Sequence, residues 1–429
     1  MRRPRGPLWQ NPDFLLLWSA QSVSQVGSQV TGLALPLAAI FVLHASTFEV
    51  AALNVVDMLP FVLFSLPAGV WVDRLRRRPL MIAADWGRAA ALASIPISYA
   101  AHALTLPQLF LVGFATGTLT VFFDVSYQSY LPSLVETSEL GDANSKLEVS
   151  RSVAQLGGPG LAGALVGAIT APYAIAVDAA SFVGSALLLG AVRRVETLPE
   201  SLAAARRRMR DEIGEGLRYL LRHPIMRPMM FWVAMSNFAG NVLFSIFIVF
   251  AVRDLHLHAA TIGLLFSLGN IGTLLGALTA MRLSRRFGIG PAMLGYAAVG
   301  GAAPLLIPLA RDGYAIPFIV AAQFVFGYCA IGANVNGISL VQAITPDRML
   351  GRMTASRRFV VWGVIPVGGL VGGALGSQVG LRTALWVGAV GQALAFLPVL
   401  FSPIRRIRVV ADAEALAEES ALVGGPVST

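Results

Sequence analysis

The sequence predicts an all-α polytopic membrane protein with 12 transmembrane helices in two pseudo-symmetric six-helix bundles. Three observations carry this reading. Apolar residues make up 56% of the 429 and charged residues only 13%, with mean hydropathy +0.70. A soluble protein averages about 25% charged residues. The apolar residues also fall in continuous runs, each close to the ~20 residues of helix that cross a hydrocarbon core of ~30 Å. Finally, the basic residues cluster between alternate runs. Strands that alternate apolar and polar residues, the mark of a membrane barrel, do not occur in these runs.

Twelve runs can be marked. The first six lie near 14–43, 47–72, 79–101, 106–128, 146–169 and 172–193. The second six lie near 228–252, 259–281, 289–310, 314–341, 355–376 and 381–402. Pro60, Pro67, Pro159 and Pro366 fall inside runs, where membrane helices tolerate proline if neighbours satisfy the freed backbone. The first run is too long for the apolar core of a secretory signal and no cleavage site follows it, so it reads as a retained span.

Orientation follows from Arg and Lys. With a cytoplasmic N-terminus, 28 of the 32 basic residues fall in inner segments and three in outer loops, with Arg88 inside a span. A miscounted span would invert every later loop and destroy that bias. Both termini are expected to be cytoplasmic, in a multi-pass membrane protein. The net charge of +9 does not point to nucleic acid, because the basic residues form no continuous face. One cysteine and five histidines exclude a disulfide framework and make a metal cluster improbable.

The chain divides into an N-terminal bundle (1–193), a linker (194–227), a C-terminal bundle (228–408) and a mobile tail (409–429). The linker reads as an amphipathic cytoplasmic helix, with Arg206, Arg207, Arg208 and Arg210 available to anionic lipid headgroups. The bundles repeat at a near-constant offset. Asp73–Arg78 matches Met281–Arg286 at 208 residues; Leu140-Gly141 and Gly163-Ala-Leu165 match Leu350-Gly351 and Gly373-Ala-Leu375 at 210; Gln25 and Gln29 fall opposite Asn237 and Asn241 at 212. Repeated halves with a polar site between them are a common construction for secondary transporters.

Gly69-Val-Trp-Val-Asp73-Arg74-Leu-Arg-Arg77-Arg78 resembles the loop between spans two and three of the Major Facilitator Superfamily. Gly157-Gly158-Pro159-Gly160-Leu-Ala-Gly163 resembles the proline-glycine element of its antiporters. Asn11–Phe14, Asp178–Phe182 and Leu350–Arg352 look like its bacterial drug-exporter branch, which includes macrolide efflux proteins. The resemblance implies alternating-access export of small amphiphilic compounds, in a monomer that uses a proton gradient and no cofactor. It also implies a gating loop in which Asp73 accepts bonds from the start of span eleven near Ala355–Arg358, and Arg74 or Arg77 pairs with Asp124. Gly69 and Arg78 complete that loop, and Gly158, Pro159 and Gly163 form the antiporter-type kink, although ordinary small-residue packing explains them equally well. A siderophore or lipid-like metabolite is the alternative substrate. The alternative of another class is an intramembrane enzyme or a non-transporting scaffold, but no histidine stands in a nucleophile or metalloprotease motif.

Carboxylates within spans are costly and call for a reason. Asp57 lies 16 residues before Asp73, about 24 Å along a helix, and so near mid-membrane. Proton uptake would relieve its charge there, which makes it the first candidate for proton coupling; Asp178 is the second. Asp85 and Arg88 stand at i,i+3 and are expected to pair structurally. Gln21, Gln25 and Gln29 on span one, Asn54 on span two, and Asn237, Asn241, Asn270 and Asn334 in the second half are the candidates for a polar substrate cavity.

Overall fold

A computed structural model describes residues 7–72, 74–194, 217–218, 220–221, 223–311, 313–345, 347–409, 411–413 and 415–416, without the side chains of residues 7, 66, 70, 347–352 and 354–359. Asp73, nearly all of the amphipathic linker and most of the tail therefore lie outside the described residues, as does the Asp73 contact expected at Ala355–Arg358.

The described residues contain 12 helices long and apolar enough to cross a membrane. In the first half these are α1 (Pro12–Phe41), α2 (Thr47–Val72), α3 (Arg77–Ala100), α4 (Leu106–Leu134), α5 (Leu140–Ile169) and α6 (Ala171–Ala191). In the second they are α7 (Met226–Arg253), α8 (Ala259–Phe287), α9 (Ile289–Ala302, continued by a 3₁₀ turn to Leu306), α10 (Ala315–Ile344), α11 (Asp347–Gln378) and α12 (Leu381–Leu394, continued by Leu397–Leu400). Several helices run past the apolar runs at their inner ends, as at 129–134, 140–145, 282–287 and 347–354. Charge ends the apolar run there, but the backbone hydrogen bonding of the helix continues into the polar layer.

Helix ends follow local chemistry. Asn11 caps α1, its side chain accepting from the Asp13 and Phe14 N–H groups while its own amide donates to the Leu134 carbonyl at 3.0 Å. Pro12 follows at the first helical position, where its missing N–H removes nothing. Ahead of α7, His223 Nδ1 accepts from the Ile225 and Met226 N–H groups. Burial holds the His223 imidazole down to about 4, from an ordinary 6.5. The neutral form is therefore the one that folding favours: the stability it gives is complete above about pH 6.5 and is lost as pH falls toward 4. His223→Gln is expected to flatten this part of the melting-temperature profile, checked by thermal denaturation of wild type and variant between pH 4 and 7.

The chain forms two compact units: Met1–Leu202 with His256–Ser267, and Ala203–Leu255 with Leu268–Thr429. Within the first, α1 packs on α5 and α6, α2 on α4, and α3 on α4 and α6. Within the second, α7 packs on α11 and α12, and α9 on α10 and α12, the same pairing one repeat later. Close approach rests on glycines. A Cβ at Gly117 of α4 would stand 2.4 Å from the Asp57 carbonyl, and one at Gly272 or Gly276 of α8 would strike the Phe324 or Tyr328 carbonyl of α10.

The turns repeat as well. His44 and His256 both have positive φ and lie 212 residues apart; His102 and Gly313 lie 211 apart, and Thr170 and Gly380 lie 210 apart, again with positive φ. Thr170 is β-branched at φ 74°, whereas its counterpart Gly380 holds φ 88° with no Cβ to clash. Thr170→Gly is accordingly expected to stabilise the protein by about 1 kcal/mol, seen as a raised melting temperature in detergent.

Candidate functional site

The α1 amides keep their polar groups free. Gln21 is buried, while Gln25 and Gln29 are half-buried, and none of the three side chains has a hydrogen-bond partner among the described residues. Gln29 lies over α5, where a Cβ at Gly158 would meet its Cβ at 2.5 Å. On α2, Asn54 and Asp57 are half-buried, and neither side chain makes a hydrogen bond or ion pair with any described residue. Asp57 is thus an intramembrane carboxylate with no partner in place among the described residues, and Asn54 does not satisfy it.

The other acids of this unit are engaged. Asp178 on α6 is 1% exposed and accepts from Thr31 Oγ1 of α1 and from Ser181 Oγ at 2.9 Å. Gly27 of α1 makes room for that contact, since a Cβ there would overlap both Asp178 and Ser181. Asp85 pairs with Arg88 on α3, and both side chains are buried. The Arg88 guanidinium also reaches Thr120 Oγ1 and lies 4.4 Å over the Phe123 ring and 4.1 Å over the Phe182 ring. Asp124 and Asp178 act on it electrostatically as well. Arg88 thus pairs with Asp85 on α3 and adds its field at Asp124 on α4 and Asp178 on α6. Local spacing gave the Asp85–Arg88 pair, and Ser181 stands at i+3 from Asp178 on the same helix; Thr31, Thr120 and the two phenylalanines come from other segments and left no signal in the sequence.

The loop residues separate. The guanidiniums acting on Asp124 are Arg88 first and Arg151 second, rather than the expected Arg74 or Arg77, and Arg74 is exposed. Asp124 is half-buried within α4, whereas Arg74 sits in the turn beyond α2. Arg78 turns to the end of α6, where its Nε donates to the Leu189 carbonyl at 2.9 Å and its NH2 group donates to the Gly190 carbonyl. The Leu189 carbonyl also accepts the capping Val192 N–H at 3.3 Å, and a cation suits the negative end of the helix dipole. Gly69 has open space around its Cβ direction, so packing does not explain it.

The proline-glycine element of α5 is a contact surface. A Cβ at Gly163 would stand 2.4 Å from the Ala259 carbonyl, and one at Gly263 would stand 2.2 Å from the Pro159 carbonyl. The Gly160 N–H donates to Ser267 Oγ at 2.9 Å. The first turns of α8 thus meet α5 backbone to backbone, which is why His256–Ser267 belongs to the first unit. Gly163→Leu or Gly263→Leu is expected to destabilise the protein by about 1–3 kcal/mol through overpacking, whereas Gly157→Ala, which faces open space, is expected to change nothing. Survival of monodisperse protein after heating checks this.

In the second unit, Asn237 and Asn241 donate to the carbonyls four residues before them, and Asn270 is likewise engaged. Asn237 of α7 and Asn334 of α10 line one half-open pocket of about 240 Å³ together with Tyr296 of α9 and Gln392 of α12. Gln392 was legible as a lone amide within the last apolar run; Tyr296 was not, because aromatic residues are ordinary packing in such runs.

Comparison with known proteins agrees with this architecture. The family model of the transmembrane secretion effectors matches residues 4–423. A multidrug efflux pump of Mycolicibacterium fortuitum is 22% identical over 411 residues, covering 93% of this chain and 96% of its own. An uncharacterized MFS-type transporter of Bacillus subtilis is 25% identical, with 91% of each chain covered. Macrolide efflux protein A of Streptococcus pyogenes is 26% identical over 48% of this chain and 51% of its own. Among solved structures, a bacterial homologue of the iron transporter ferroportin superposes with TM-score 0.70 at 18% identity, covering 92% of this chain and 98% of that one. The nucleoside transporter NupG gives TM-score 0.71 at 14% identity, covering 91% and 99%. These two establish the fold. With a family model spanning nearly its whole length and the repeated pairing of six helices in each unit, the chain belongs to the transmembrane secretion effector family of the Major Facilitator Superfamily of transporters.

Proposed function

We propose that this protein exports small amphiphilic compounds of the drug or macrolide type by alternating access, exchanging them for protons, with Asp57 as the group that carries the proton. The observation behind this reading is the contrast among the intramembrane acids. Asp85 and Asp178 hold partners and Asp124 lies within the electrostatic reach of Arg88 and Arg151, whereas Asp57 has no hydrogen bond, ion pair or cation acting on it among the described residues. A carboxylate kept in a spanning segment without a partner is costly unless it can change its charge state. The names of the efflux relatives support the export direction and the substrate class.

In this reading the protein lies in the bacterial inner membrane as a monomer, with both termini cytoplasmic, as the distribution of arginine indicates. Its energy source is the proton gradient, with no cofactor. The free amides Gln21, Gln25 and Gln29 offer the solute hydrogen bonds, and the Gly69–Arg78 loop acts as the cytoplasmic gate. The test is transport by the purified protein in liposomes under an imposed pH gradient, with ethidium, erythromycin and a siderophore as solutes. Proton-driven movement of ethidium or erythromycin is expected. Movement of the siderophore alone overturns the substrate class, and movement of none overturns the exporter reading.

A further inference from the structure

One end of the second unit carries arginines that its fold does not use. After α12 the chain turns back through a 3₁₀ turn (Pro403–Arg406) and lies against the junction of α8 and α9. The Ile289 N–H donates to the Arg408 carbonyl at 3.1 Å and the Gly290 N–H to the Ile407 carbonyl at 2.7 Å. Gly288, at φ 94°, permits this approach, since a Cβ there would stand 3.0 Å from Arg408 Cα. Ile404 and Ile407 are fully buried and anchor the turn. Arg405, Arg406 and Arg408 thus share a corner with Arg282, Arg285 and Arg286, which lie on one face of the last turns of α8 at i, i+3 and i+4. All six are exposed. Asp412 lies beside Arg408, but its carboxylate accepts from the Arg408 and Val409 N–H groups. The other five side chains make no hydrogen bond or ion pair among the described residues.

The first unit shows what such arginines do where the fold needs them. Val192-Arg-Arg-Val195 matches Ile404-Arg-Arg-Ile407 at an offset of 212, and Arg78 matches Arg286 at 208. Arg78 donates to the Leu189 and Gly190 carbonyls at the end of α6, and Arg194 to the Leu134 carbonyl at the end of α4. After α12 the chain satisfies its own carbonyls instead. The Val399 carbonyl accepts from the Ser402 N–H and hydroxyl, and the Ile404 carbonyl accepts from the Ile407 N–H. Arg286 and Arg406 are left without that duty. Apolar groups stand exposed beside them: Phe287 at 57%, Phe401 at 79% and Val409 at 56%. The Arg286 guanidinium lies 5.5 Å from the centre of the Phe287 ring.

We infer that this corner is a docking surface for an anionic phospholipid of the inner leaflet. The guanidiniums take the phosphate oxygens, which their planar fork fits two at a time. Phe287 and Phe401, at the ends of spans, meet the glycerol and the first acyl carbons. A soluble anion would use the arginines and leave both rings in water, and a zwitterionic lipid would bring its own cation against the patch. Clusters of arginine beside a span end are the groups that an anionic leaflet attracts. The site needs the inner-side placement that the arginine distribution indicates, and it does not depend on the exporter reading.

The test uses the full-length protein in detergent with two probes, tritiated dioleoylphosphatidylglycerol and tritiated dioleoylphosphatidylcholine. Phosphatidylglycerol is expected to bind saturably, and phosphatidylcholine at least about tenfold more weakly. Arg285→Gln/Arg286→Gln and Arg405→Gln/Arg406→Gln are each expected to weaken phosphatidylglycerol by at least about tenfold, as the loss of two charges near a lipid phosphate implies. Both should keep the melting temperature of the lipid-free protein, because these side chains hold no partner there. Arg311→Gln, exposed at the opposite end of the same unit, is expected to bind as wild type does. Inorganic phosphate at the concentration of the lipid is expected not to displace it. The inference is overturned if the two lipids bind alike, if neither double variant weakens phosphatidylglycerol, or if Arg311→Gln weakens it as much. Displacement by phosphate would make the ligand a soluble anion and overturn it as well. So would tenfold tighter binding by Glu414→Gln/Glu418→Gln/Glu419→Gln, since the acidic tail of the chain would then be the occupant.

Discussion

Asp57→Asn is expected to abolish export driven by a pH gradient while leaving a folded protein that still binds its solute. Asp57 stands ten residues into α2, about 15 Å along the helix, which is half of a core of ~30 Å. Its neighbours across the α2–α4 contact are glycines and aliphatic groups; Gly113 and Gly117 of α4 bring the α4 backbone close to it. The asparagine keeps the shape of the side chain and cannot take up and release a proton at working pH. Uptake of solute into inverted vesicles should therefore fall by about tenfold or more, whereas substrate-induced thermal stabilisation should persist. Asp178→Asn supplies the contrast. Its amide oxygen can accept from one of Thr31 and Ser181 while its NH2 donates to the hydroxyl oxygen of the other, so gradient-driven export should survive. Normal export by Asp57→Asn, or loss of export in Asp178→Asn with the fold intact, would move the coupling role away from Asp57.

The legible part of this protein is the part written locally. Spans follow from apolar runs that hydropathy reports directly, the repeat from short motifs recurring at a near-constant offset, and the Asp85–Arg88 pair from residues within one turn of each other. The inner helix ends were not legible in the same way, because at Leu140 and Asp347 the sequence turns polar while the helix continues. The partners of Arg78, Asp124 and Asp178 were missed for another reason. Apart from Ser181, three residues from Asp178, each is supplied by a helix about 30 to 150 residues away, and the choice among several arginines or hydroxyls is made by packing, which has no period. The pocket in the second unit shows both limits. Asn237 and Asn334 were visible as amides in apolar runs, yet nothing in the chain tells that Tyr296 and Gln392 would line the same pocket.

Arg88→Met is expected to have the largest effect on stability in the molecule. The methionine keeps the apolar stem of Arg88 and loses the guanidinium that lies over the Phe123 and Phe182 rings. What disappears is the only cation paired with Asp85 among the described residues, together with the charge that Asp124 and Asp178 also feel. Removing one partner of a buried ion pair destabilises by about 3–5 kcal/mol, because the remaining charge is buried without compensation. Arg88→Met should therefore lower the yield of monodisperse protein steeply and shift its melting temperature down, more so at neutral pH than in acid, where the carboxylates can be neutralised by protons. The double variant Asp85→Leu/Arg88→Met should recover part of the loss, since replacing both members of a buried pair by apolar groups is far milder than removing one. Recovery should remain incomplete, because Asp124 and Asp178 would still lack the charge that balanced them. If Arg88→Met were as stable as wild type, the three acids would not depend on this cation, and the α3–α4–α6 interface would be held by packing alone.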